Sequence, residues 1–194
     1  MTYERSRPQL EAALTVRQAI SADLRTVIDL WEHAASWLSE RGIDQWQYPP
    51  REDRIKANIE AGECWIIEAD GAPVATITID EHADSDFWSS AEAAEPALYV
   101  HRMVVRRDAA GLDLGSAMLD WAGRQALSQG KQLLRLDAWR SNEGLQRYYA
   151  DRGFTHIRTV EADDRSSGAL FQRPADYARG TGPTLETAPS NNRH

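Results

Sequence analysis

The chain has 194 residues, 22 Lys+Arg against 30 Asp+Glu, a formal charge of −8 and a single cysteine, Cys64. That length supports one large domain or two small ones. The lone cysteine excludes an intramolecular disulfide framework and any all-cysteine metal cluster, and the acidic balance argues against nucleic acid or an anionic membrane as a partner.

No apolar run approaches the roughly 20 residues of a membrane span. The start of the chain carries Glu4, Arg5, Arg7 and Glu11 and lacks the apolar stretch of a secretory signal. A cytoplasmic protein is the expectation. The oddity is aromatic: seven tryptophans imply a need for large, rigid apolar surfaces.

In chain order, residues 1–13 read as a loose lead-in, 14–178 as one domain, and 179–194 as a polar, disordered tail that buries little. A first strand is predicted over 14–20. Ser21 and Asp23 are helix-start residues, after which Leu24, Val27, Ile28, Trp31, Ala35 and Leu38 recur at helical spacing until Gly42. A short helix over 52–60 precedes strands over 64–69 and 74–79, joined at Asp70-Gly71, a strong hairpin signal. Residues 80–95 hold six acids and no Lys or Arg, which reads as a solvated loop. A strand over 98–105, a glycine-bearing turn and a helix over 116–129 follow. The remainder alternates strand 133–139, helix 142–152, and strands 154–160 and 169–171.

Chemistry concentrates between His101 and Phe154. The strand ending at Val105 runs into a turn with Gly111 and Gly115, and a helix begins near Ser116. Such a turn aims backbone N–H groups and the positive end of a helix dipole at one spot, which suits a phosphate. Arg102, Arg106 and Arg107 add positive charge in an otherwise acidic chain. The glycine spacing is that of neither a P-loop nor a Rossmann turn. Further on, Asn142 and Tyr149 stand two helical turns apart on one face, and Gly153 closes the helix before Phe154.

Gly115–Ala117 after a basic strand end, then Asn142-x6-Tyr149-x3-Gly153-Phe154, resembles the GNAT superfamily of acyl-CoA-dependent N-acyltransferases, and the element order fits over about residues 14–173. The resemblance implies an α/β (α+β) fold with a central mixed seven-stranded sheet flanked by about four helices. It implies acetyl-CoA, or another short acyl-CoA, as cosubstrate and a small-molecule primary amine as acceptor, with a homodimer compatible. Met103, Val104 and Val105 then match the strand along the pantetheine arm, and Arg106 adds its charge to the cofactor site. Ala110, Gly111, Leu112, Asp113, Leu114, Gly115 and Ser116 match the pyrophosphate turn. Tyr149 matches the tyrosine that protonates the departing thiolate, and Asn142 an asparagine that contacts the arm or caps its helix.

Where many relatives carry a glutamate base, this chain has His101, and a histidine is a side chain able to take a proton from an ammonium substrate. Asp137, Glu32 and His33 are rival bases. Trp37, Trp46 and Asp137 are the candidate acceptor contacts, while Trp31, Trp65, Trp121 and Trp139 lie on periodic elements and read as core. The family's turn usually reads Arg/Gln-x-x-Gly-x-Gly/Ala. Here Ala110 takes the first place and Asp113 replaces a glycine that approaches the pyrophosphate. A carboxylate there repels a dianion by roughly 1 kcal/mol. A non-catalytic CoA-binding relative and a protein-directed acetyltransferase are the alternatives. No metal site is expected.

Overall fold

The structure, a computed structural model, describes residues 13–189. The lead-in expected over 1–13 therefore lies almost wholly outside the described residues, as do the last five positions of the tail. The elements are β1 (Leu14–Gln18), α1 (Leu24–Ser39), α2 (Glu52–Glu60), β2 (Cys64–Ala69), β3 (Ala72–Asp80), α3 (Ser90–Ala93), β4 (Ala97–Val105), α4 (Leu114–Ser128), β5 (Leu133–Trp139), α5 (Glu143–Ala150), β6 (Thr155–Thr159), β7 (Ser167–Pro174) and β8 (Glu186–Thr187).

One eight-stranded sheet runs in the order β6-β7-β5-β4-β3-β2-β1-β8. The pairs β4–β5 and β1–β8 are parallel and the rest antiparallel. The crossover through α4 is what makes β4 and β5 parallel. Asp70 and Gly71 take φ of 50° and 79° at the β2–β3 turn, the left-handed pair such a hairpin needs.

Alternation along β2 separates two layers. Cys64 and Ile66 face α1 and α2 in a cluster with Val27, Ile28, Ile55 and Ile59. Ile67 and Trp65 face the other way, toward α4, where Trp65 meets Trp121 edge-on at 5.0 Å. Helix α4 is buried on nearly every side, and its small residues allow this: a Cβ on Gly123 would lie 2.5 Å from the Ala175 carbonyl oxygen.

Two expectations need correction. The acidic stretch 80–95 is not a solvated loop: Phe87 and Trp88 are buried with Tyr99 and Leu170, and α3 is capped by Ser89. Its acids are neutralised from distant strands, Glu92 by Arg158 and Glu95 by Arg135. Arg158 holds the Glu92 carboxyl down to about 2.

The tail also packs. Asp120 accepts from the Arg179 and Gly180 N–H groups, Leu185 is 1% exposed, and Trp121 Nε1 donates to Thr187 Oγ1 at 3.0 Å. Residues 186–187 thereby add β8, the eighth strand where seven were expected.

Candidate active site

Strands β4 and β5 pair only from Ala97–Tyr99 to Leu133–Arg135. Beyond that point they diverge, while β5 stays paired with β7 as far as Trp139. A bulge in β4 helps open the wedge: the register with β3 passes from Thr78↔His101 to Thr76↔Val104, and Arg102 takes a φ of 42°. The opening lies at the C-terminal ends of two parallel strands, where ligands of α/β sheets usually sit.

The wedge leads into a cavity of about 520 Å³, within the range of small-molecule sites. Val100, His101 and Met103 line it from β4, Leu136, Asp137 and Trp139 from β5, and Leu145 and Tyr149 from α5. The outer wall is aromatic. Trp31 stacks on Trp46 at 5.7 Å, and Tyr48 lies 5.8 Å from Trp31 and 6.2 Å from Trp139. Side-chain anchors hold the wall segment: Asp44 accepts from Trp139 Nε1 at 3.0 Å and Ser141 Oγ at 2.6 Å, and Gln45 Oε1 accepts from Asn142 Nδ2 at 2.7 Å. They keep Trp46 at a φ of 62°, a strained value for a bulky residue.

Three titratable groups meet in the cavity. His101 Nε2 is 3.1 Å from Asp80 Oδ2, yet poorly aligned, so that buried nitrogen has no well-directed hydrogen-bond partner. Burial alone would raise the Asp80 carboxyl; the close approach and charge of His101, with the His82 N–H, hold it below its ordinary value. Asp137 moves the other way: burial pushes its carboxyl up, only partly countered by Ser167. Burial also pushes the Tyr149 phenol up, so it keeps its proton at any working pH. Its ring is fixed against Phe154 at 5.6 Å and Phe171 at 6.2 Å.

The turn after β4 is a 3-10 segment, Arg107–Leu112, followed by Asp113 at a φ of 50° as N-cap of α4. That left-handed conformation is one that glycine adopts freely and aspartate tolerates. The Asp113 carboxylate is engaged by Ser116 Oγ at 2.7 Å, by Arg152 Nη2 at 3.2 Å and by Thr181 Oγ1. Desolvation works against its charge, but these three donors outweigh it and hold the pKa low. Arg152 in turn lies over the Tyr148 ring at 3.4 Å, and the Tyr148 hydroxyl occupies the place a Cβ on Gly115 would take, 1.8 Å away. The glycine is what lets α5 approach α4 there.

The family model of the Acetyltransferase (GNAT) family matches residues 29–154, a span that contains the wedge, the turn and the Tyr149 helix. The chain belongs to the GNAT family of acetyltransferases. A curated relative, an uncharacterised N-acetyltransferase, YesJ, of Bacillus subtilis, is 28% identical over 161 residues, covering 80% of this chain and 87% of its own. A GNAT-family acetyltransferase structure from Listeria monocytogenes superposes with a TM-score of 0.69 at 28% identity, covering 84% of this chain and 97% of that one. The fold is also that of the PaiA N-acetyltransferase from Thermoplasma acidophilum, solved in complex with coenzyme A, at a TM-score of 0.64 and 16% identity over 84% and 99% of the two chains.

In this GNAT chain the structure brings His101, Tyr149, Asp137, Met103 and Trp46 to one cavity. Val104 is buried in β4, Val105 ends that strand, and Arg106 turns back onto Asp108. Ala110, Gly111, Leu112 and Leu114 lie along the turn with Asp113, Gly115 and Ser116.

Asn142 caps α5, accepting from Leu145 N at 2.9 Å, and its amide is engaged by Gln45; its side chain serves structure. Trp37 does not reach the cavity, because Arg41 and Arg107 lie over its ring at 4.0 and 3.9 Å. Trp31 and Trp139, read as core, are buried and also line the cleft. Sequence reasoning missed Asp80 as the partner of His101. The signal was the β3–β4 register, which follows only from knowing where β4 bulges.

Proposed function

We propose that this GNAT chain is an acyl-CoA-dependent N-acyltransferase that passes an acetyl or other short acyl group to the primary amine of a small molecule in a ternary complex. The observation that carries this reading is the opening between β4 and β5, with His101, Asp137 and Tyr149 on its walls. The freed backbone edge from Val100 onward is unpaired on its β5 side, and a pantetheine arm can add to it as a strand does. The residues therefore fit CoA, whose thioester supplies the activated acyl group.

His101 has Nε2 turned to Asp80, leaving Nδ1 to take a proton from the incoming ammonium. Asp80, kept ionised, orients that ring. Backbone N–H groups of the Val104–Val105 region are the donors assigned to polarise the acyl carbonyl in this reading. Tyr149 Oη carries the proton that the departing sulfur needs. The enclosed aromatic wall favours a small acceptor over a protein segment. Among the described residues no helix is long and apolar enough to cross a membrane.

A second reading, a relative that holds CoA without transfer, draws on Asp113, whose ionised carboxylate stands at the phosphate turn. The test is acetyl-CoA turnover with a panel of amines, read as thiol release and as acylated product by mass spectrometry. Binding of CoA by calorimetry without turnover on any amine would select the second reading.

A further inference from the structure

Three arginines of the cavity lack an acid partner. Arg51 caps α2, Arg54 lies in its first turn, and Arg102 sits in the β4 bulge. Among the described residues no carboxylate comes within ion-pairing distance of any of them. Arg102 Nη2 meets only a neutral oxygen, Asn58 Oδ1. Arg51 and Arg54 are exposed and Arg102 is half-buried; other half-buried or buried arginines such as Arg17, Arg135, Arg165 and Arg173 are each matched to an acid.

Burial holds the Arg102 pKa below its ordinary value; Asp80 and Glu63 oppose this from beyond ion-pairing distance, and Arg54 adds repulsion. A largely desolvated cation with no acid in direct contact gains when an anion binds beside it. All three arginines act on the Tyr48 phenol, so they converge on one part of the cavity.

We propose that the acceptor carries, beside its amine, an oxyacid anion, either a carboxylate or a phosphorus oxyacid, which is held by Arg51, Arg54 and Arg102. This rests on the acyltransferase reading above. The guanidinium fork suits both kinds of anion, because two parallel N–H donors match two oxygens of one group. The cavity lining also carries the complementary sign, in Asp137, Asp164 and Asp84, the last of them paired with Arg165. An amine of a zwitterion is thus drawn toward His101 and Asp137 while its anion is drawn toward the arginines. A polyamine would set positive charge against all three.

The phosphates of CoA do not compete for this role. The turn before α4 lies on the sheet face that Ile67 and Trp65 share, whereas α2 lies on the face of Cys64 and Ile66.

The experiment compares matched acceptors: common amino acids and aminophosphonates against the corresponding amides, esters and decarboxylated amines. Wild type is expected to favour the anionic member of a pair by about 10- to 100-fold in kcat/KM. The Arg51→Gln/Arg54→Gln double variant changes exposed residues and keeps the fold. It is expected to erase most of that preference through KM, as is Arg102→Gln, which retains an amide donor for Asn58. Equal use of charged and uncharged acceptors, or equal loss for both in the variants, overturns the proposal.

Calorimetric binding of the same anionic compounds separates the two levels. Binding lost in the double variant without any acyl transfer keeps the anion site and sinks the transferase reading. Transfer to amines with no charge preference does the reverse. If no anionic member binds or reacts, the anion site is wrong.

Discussion

His101 Nε2 lies 3.1 Å from Asp80 Oδ2 across the β3–β4 pair, diagonal to the Thr78↔His101 register. The bulge that follows turns Arg102 and Met103 to the same cavity, so one irregularity in β4 places the proposed base and the proposed arm-binding edge together.

His101→Gln keeps a polar side chain of similar reach and removes the titrating ring. Its kcat is expected to fall on the order of 100-fold with little change in the KM for acetyl-CoA. Asp80→Asn is expected to fall less, because it leaves the base in place and removes only its orienting charge. Steady-state kinetics at saturating acetyl-CoA check both, and full activity in His101→Gln would move the base role to Asp137.

The same pair has a signature in acid stability. The folded Asp80 pKa is lower than its unfolded value, so the native state binds fewer protons there. That contribution is fully present above the unfolded value of about 4 and is lost as the pH falls through the lower folded value. Wild type is therefore expected to lose stability on acidification below about pH 4, with a steeper fall than Asp80→Asn shows. Denaturant melts from pH 7 down to pH 3 measure the difference in slope.

Tyr149→Phe removes one oxygen and leaves the contacts with Phe154 and Phe171 intact. A loss in kcat of about 100-fold with a nearly unchanged melting temperature is the expected result. Full turnover would remove Tyr149 from the acid role and leave it as a packing residue like Tyr148.

Asp113→Asn tests the departure at the phosphate turn. Asparagine also tolerates the φ of 50° and keeps a hydrogen-bonding oxygen, while the charge disappears. Arg152, no longer neutralised, becomes available to an anion. Calorimetry is expected to show CoA binding about 5- to 10-fold tighter, as removal of a repulsion near 1 kcal/mol implies. Weaker binding would mean that Asp113 supports the turn more than it opposes the ligand.

Strand β5 and the Asp70-Gly71 hairpin are legible because their signals are local: a short apolar run broken by Arg135 and Asp137 in the one, and a turn pair in the other. The motif from Asn142 to Phe154 likewise sits on one helix and its C-terminal cap. The misread stretches depend on distant partners. The acids at 80–95 look solvated until Arg135 and Arg158, 40 and 66 residues away, are known to meet Glu95 and Glu92. Arg51 and Arg54 look like ordinary surface charge until the folding of α2 beside the bulge puts them with Arg102.

The C-terminal segment gives the last prediction. Leu185 is the one large apolar residue between Tyr177 and the end of the chain, and it is 1% exposed. Thr187 beside it receives the Trp121 indole hydrogen bond, and Ala188 N donates to Val16 O at 2.7 Å. Leu185→Ala leaves a cavity against the core that includes α4, with an expected cost of about 2–4 kcal/mol. For a chain of this size that lowers the melting temperature by roughly 5–12 °C. Glu186→Ala changes an exposed position on the same strand and is expected to shift it by little. Calorimetric melts of the two variants separate a packed segment from a passive tail: equal melting temperatures would mean that the segment adds nothing to the stability of the sheet.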